Sequence, residues 1–111
     1  MEYILNTIKR LADEEYARSS DKFGAKNNSP HESYAVILEE YDEADDIITD
    51  FKDFLDSYWS SVKINDKELQ KCYLDSLKIR AEHIAAEWVQ VVAMCHKAQI
   101  SIENKQPDME K

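Results

Sequence analysis

A single glycine and two prolines in 111 residues leave this chain almost no means of turning. Sandwiches and barrels place Gly, Pro, Asn and Asp at every strand connection, and phosphate loops of the glycine-rich kind need several glycines within a few residues. Neither architecture is open here. Ala, Leu, Glu, Lys and Ile are frequent and suit helices. The expected fold is therefore all-α, a helical bundle of three to five helices. The length matches one core, so a single domain is expected over 1–103, followed by a flexible tail at 104–111.

Charge narrows the partners. Fourteen basic against 23 acidic side chains give a formal net charge of -9. A nucleic-acid backbone or an anionic lipid surface would meet a repulsive field unless a metal ion or a local basic patch intervened. Direct nucleic-acid binding is thus not expected, whereas a metal-dependent phosphate site stays open. No apolar run approaches the roughly 18 residues of a membrane span, and residues 1–17 have no uninterrupted apolar stretch of the signal-peptide type. A cytoplasmic protein without membrane attachment is expected. Cys72 and Cys95 fall on one helical stretch about 35 Å apart, beyond disulfide reach, and read as reduced core thiols.

Along the chain, Ile4, Leu5, Ile8, Leu11, Ala12 and Tyr16 follow helical spacing over 3–17. The periodicity stops at 19–28, which reads as a loop turning at Gly24. Ser29, Pro30 and Glu32 form a helix start, with Ser29 as N-cap, Pro30 at the first helical position and Glu32 closing a capping box. A helix follows to about residue 60. Asn65 and Glu68 give a second capping-box spacing, opening a helical region that reaches about residue 102. Such a length exceeds what a small globule covers, so either a break near Ser76 or burial against a second copy is expected, the latter making a helix-mediated homo-oligomer.

Chemistry concentrates on two helical faces. Tyr34, Ile37, Tyr41, Ala44 and Ile48 form an apolar strip widened by Val36 and Ile47, and Glu40 and Glu43 fall inside the widened strip. Glu39 lies at its margin. On the last helix Arg80, His83, Glu87, Gln90 and Met94 share a column beside Ile84, Val91 and Ala98. Carboxylates on an apolar face desolvate and repel unless paired or bound to a cation. Antiparallel packing would converge Glu40, Glu43, Glu87 and Gln90 into an oxygen-rich set suited to Mg²⁺ or Mn²⁺. Zinc is not expected, because Cys and His show no ligand spacing. Read apart from its partners, the acidic string is a solvated helix face. Trp59 and Trp88 read as packing or subunit-contact residues, His31 as a solvent-facing residue and His96 as one without a role.

The string from Ser29 through Pro30-His31-Glu32 to Glu39-Glu40-Tyr41-Asp42-Glu43 resembles the first metal-binding helix of MazG-like all-α nucleoside triphosphate pyrophosphohydrolases, especially the small phage and prophage type. Ala86-Glu87-Trp88-Val89-Gln90-Val91-Val92-Ala93-Met94 resembles their second signature helix. The resemblance covers about residues 23 to 98. It implies hydrolysis of a nucleoside triphosphate between the α and β phosphates, to monophosphate and pyrophosphate, with Mg²⁺ held by E-x-x-D and E-E-x-x-E motifs. Glu39, Glu40 and Glu43 match the latter, and Glu87 matches the Glu of the former. Gln90 stands where that motif has Asp, which removes one negative charge. Glu40, Glu43, Glu87 and Gln90 are the expected metal ligands, and Glu39 or Glu40 the group that takes a proton from the attacking water. Lys22, Lys26 and Arg80 are candidates to offset the triphosphate charge, and His83 to touch the substrate. Two other readings stand beside this one: a non-enzymatic relative, and an acidic protein that mimics nucleic-acid charge by spreading carboxylates over an exposed face.

Overall fold

A computed structural model of the chain describes residues 1–103 and holds three helices, α1 Glu2–Phe23, α2 Pro30–Lys63 and α3 Lys67–Glu103, with no strand among the described residues. The all-α expectation is met with the lower number of helices. The tail expected at 104–111 lies outside the described residues. No described helix is long and apolar enough to cross a membrane.

Gly24 ends α1 with φ 93, donating its N–H to the Ser20 carbonyl at 2.9 Å. An L side chain rarely adopts that backbone angle, which is why the single glycine sits here. The helix reaches further than its periodicity implied, and the loop expected at 19–28 contracts to 24–29. Ser19 and Ser20 are half-buried, so packing holds in the helix a polar segment whose intrinsic preference is weak. The short loop is then pinned from three sides. The Tyr16 hydroxyl donates to the Ala25 carbonyl at 2.8 Å; buried Asn27 donates its backbone N–H to Ser101 Oγ and its side-chain amide to Ser33 Oγ, each at 2.8 Å.

The start of α2 is the capping box read from sequence, with one displacement. Glu32 donates its N–H to Ser29 Oγ at 3.1 Å, while its carboxylate accepts from the Asn28 N–H at 2.6 Å, one residue outside the N-cap. At the start of α3 the cap is Asp66 rather than Asn65: the Leu69 N–H donates to Asp66 Oδ1 at 3.0 Å. Asn65 adopts φ 55. The tight α2–α3 connection needs one residue in the left-handed region, and Asn tolerates it better than most non-glycine residues, so the capping task passes to its neighbour.

The 37 residues of α3 run unbroken for about 55 Å. The break expected near Ser76 is absent, for a reason visible in the burial pattern. Gln70, Tyr73, Leu77, Arg80, Ile84, Glu87, Val91, Met94, Ala98 and Ser101, none of them exposed, recur at alternating steps of three and four. Ser33, Ile37, Glu40, Ala44, Ile47, Phe51, Phe54, Tyr58 and Ser61 do the same on α2. This is the seven-residue repeat of helices packed side by side, and a seam that continues through Ser76 gives the helix no reason to stop there. The α2 seam is rotated from the strip expected in sequence: Tyr34, Tyr41 and Ile48 are exposed, and Val36 and Ile47 lie on the packed side.

The chain divides into two compact units, Met1–Tyr41 with the described residues from Trp88 onward, and Asp42–Glu87. In the first, Ala12, Ala93 and Met94 form the buried centre, with Tyr16, Val36, Ile37 and Val89 against it. Tyr16 meets His96 edge-on, ring centroids 5.0 Å apart, and Tyr41 meets Trp88 at 6.2 Å. His96, given no role by its sequence position, is thus a packing residue. Ile4, Leu5 and Leu11, expected in the α1 stripe, are exposed. The second unit is a helical hairpin centred on Ala44 and Leu77, both buried. Its cross-helix pairs recede from the turn in step, Ser61 with Gln70, Phe54 with Tyr73 and Asp50 with Arg80, as antiparallel helices require. Cys72 and Cys95 are free thiols on α3 as expected, but both are exposed and neither belongs to a core; both lie off the seven-residue seam.

Candidate functional site

Each seam carries one carboxylate, Glu40 on α2 and Glu87 on α3. In the second unit Glu87 faces Glu43, with a carboxylate oxygen of each within 4.8 Å of the other. Cross-helix pairing in the hairpin brings these two together, and along α2 Glu40 precedes Glu43 at the i, i+3 spacing.

Burial raises the Glu87 carboxyl above its ordinary value, the charge and hydrogen bonding of Glu43 raise it further, and the charge of nearby His83 acts in the opposite sense. Glu87 Oε2 is buried and has no hydrogen-bond partner among the described residues. A carboxylate oxygen withdrawn from water, without a donor and beside a second carboxylate, is satisfied by a proton or by a cation. Oxygen donors alone fit a hard ion such as Mg²⁺ or Mn²⁺.

The first unit contains a cavity of about 520 Å³ lined by residues of all three helices. Glu40 and Gln90 form part of its wall, as do Lys22 and Lys26, both from the sequence-expected set. Gln90 stands near the Glu15 carboxylate of α1, which is held below its usual range chiefly by the Arg18 guanidinium, against an opposing effect of burial, with Gln90 and the Arg18 charge adding to the lowering. Arg18 grips Glu15 through Nε at 3.2 Å and Nη2 at 2.6 Å.

Arg80, expected to meet the substrate, is engaged within the hairpin. Its Nε donates to Asp50 Oδ2 at 2.6 Å, Nη1 donates to the Ser76 carbonyl at 3.2 Å, and the guanidinium lies 3.9 Å from the Phe54 ring centroid. His83 is exposed near Glu87, and Glu39 is exposed off the α2 seam. Trp59 is exposed as well.

Glu15, Arg18, Asn27 and Lys97 are among the cavity residues that escaped the sequence reading. Lys97 alone left a usable signal. It continues the Gln90–Met94 column by one further step of three, at a position where the seven-residue seam is closing. The α1 residues could not be found this way, because nothing in a helical period tells which turn of α1 meets which turn of α3. No family model, no curated protein and no solved structure matches this chain.

Proposed function

We propose that the protein is a Mg²⁺-dependent nucleoside triphosphate pyrophosphohydrolase of the MazG-like kind. The observation that carries this reading is the meeting of Glu43 with Glu87 from two different helices, with Glu40 one turn away, on seams that are otherwise largely apolar. A protein mimicking nucleic-acid charge has no need to bring carboxylates together where they lose water.

Glu40, Glu43 and Glu87 would hold the metal, for which Mn²⁺ can substitute. When bound, the ion neutralises phosphate charge and acidifies water. Hydrolysis adds one water across the α–β anhydride, giving monophosphate and pyrophosphate. We assign the proton released by that water to Glu40, which borders the cavity, in preference to Glu39, which is exposed. Lys22 and Lys26 at the cavity offset substrate charge; Arg80, committed to Asp50 and Phe54, is dropped from that role. Incubation with a panel of nucleoside triphosphates and Mg²⁺ or Mn²⁺ should release pyrophosphate, and Glu87→Gln should reduce release at least a hundredfold. Absence of pyrophosphate with every nucleotide refutes the reading.

We further propose a homo-oligomer. Among the described residues six apolar side chains are buried, while nineteen large ones are exposed, including Tyr3, Ile4, Leu5 and Trp59. That excess of exposed apolar surface is what a second copy would cover. Light scattering at micromolar concentration should give a multiple of 13.0 kDa; a monomer removes this claim.

A further inference from the structure

We infer that α2 pairs antiparallel with α2 of a second copy, through a seven-residue seam on its exposed side. Tyr34, Leu38, Tyr41, Asp45, Ile48, Lys52, Leu55 and Trp59 recur at alternating steps of four and three, and all of them are exposed. The line runs one residue behind the packed seam at every step, so the two are separate faces of the same helix. α2 exposes six large apolar side chains, and every one of them falls on this line. Exposed apolar residues of a monomer scatter singly over its surface. Confined to one line over more than three heptads, they mark a coiled-coil seam with nothing against it. In the first unit Trp88 of α3, itself exposed, meets Tyr41 edge-on and widens the apolar face beside the seam.

The order of residues along the seam selects the occupant and its direction. Laid antiparallel on itself about a two-fold axis level with Asp46 and Ile47, the seam sets Tyr34 against Trp59, Leu38 against Leu55, Tyr41 against Lys52 and Asp45 against Ile48. Aromatic meets aromatic, leucine meets leucine, and a cation meets an aromatic face. The two charges then fix the orientation. Antiparallel pairing brings Lys52 beside Asp42 of the other copy and one layer from its Asp45, whereas parallel pairing in register stacks Lys52 on Lys52 and Asp45 on Asp45. Within one chain Lys52 holds Asp56 of its own helix at 3.5 Å, an exposed pair of little worth that leaves the cation available to a neighbour. Two-fold symmetry requires a surface complementary to its own reverse, and a helix of an unrelated protein requires no such thing. The contact runs about 38 Å along each helix.

This inference rests on the homo-oligomer reading for the existence of a second copy, and adds the surface, the direction and the register. Sedimentation equilibrium of the full chain gives the dissociation constant of self-association. Leu55→Asp should raise it about a hundredfold and Lys52→Asp about tenfold, with helicity by circular dichroism unchanged in both. Mixing Lys52→Asp chains with Asp45→Lys chains should give a heterodimer about fivefold tighter than the Lys52→Asp homodimer, because opposite charges meet again at both symmetric contacts. Oxidative cross-linking reads the register. In a Cys72→Ser, Cys95→Ser background, Leu38→Cys chains alone and Leu55→Cys chains alone should stay separate, since equivalent positions lie about 25 Å apart across the two-fold axis. Mixed together, they should join. An oligomer that Leu55→Asp leaves intact, mixed charge variants that do not recover, or Leu38→Cys chains that join one another would each overturn the inference and leave the homo-oligomer reading to another surface. A monomeric wild type would overturn both.

Discussion

Replacing Glu43 with Gln should make the metal-free protein more stable at neutral pH. Two unit charges at the 4.8 Å bound between the Glu43 and Glu87 oxygens repel by about 0.9 kcal/mol at the dielectric of water and about 3.5 kcal/mol at an effective value of 20. Glu43 is exposed and Glu87 half-buried, so solvent screens much of the field and the lower end applies, about 1 to 1.5 kcal/mol. Gln keeps the shape of Glu and removes the charge. For a chain of this size, 1 kcal/mol corresponds to roughly 4 to 8 °C in Tm.

The same pair fixes the sign of the pH dependence. Glu87 has its carboxyl raised in the folded state, so the native protein holds that proton more tightly than the unfolded chain does. Its contribution is fully present below the ordinary carboxylate value and is lost as pH rises through the raised one. Thermal melts in EDTA from pH 4 to 8 should show this decline in the wild type and a shallower one in Glu43→Gln. Millimolar Mg²⁺ should restore stability to the wild type, because binding to the native state alone raises Tm, and should do so less for the variant. A variant that melts several degrees lower in EDTA, or that gains as much from Mg²⁺ as the wild type, refutes the reasoning: the first makes Glu43 a structural ion-pair partner, the second removes it from the metal centre.

Arg80→Met should cost about 1 to 2 kcal/mol, the combined worth of a partly exposed ion pair with Asp50 and a cation–π contact with Phe54. Denaturant melts check the loss, and KM for the nucleotide should remain unchanged. Gln90→Asp should set a second carboxylate beside Glu15 in place of an amide, destabilising the protein by about 1 kcal/mol in EDTA. A Gln90→Asp protein as stable as the wild type would show that the Glu15 contact contributes nothing.

Periodicity and punctuation carried most of the fold. Gly24, the Ser29–Pro30–Glu32 cap and the long helices were legible because each depends on a few neighbouring residues. The misplaced boundaries share one cause. Residues 19–23 are helical because Ser19 and Ser20 pack, and Asp66 caps α3 because Asn65 must take a positive φ. Both depend on the path of the chain beyond the local string.

The candidate site divides along the same line. Glu40 and Glu87 were legible because each interrupts an apolar period, and an interruption shows without knowing the partner helix. Gln90 and Arg80 occupy equally conspicuous positions on the α3 column, yet their partners, Glu15 and Asp50, lie on other helices. A period assigns a residue to a face but leaves open what stands opposite, and for long polar side chains the opposite group decides the chemistry.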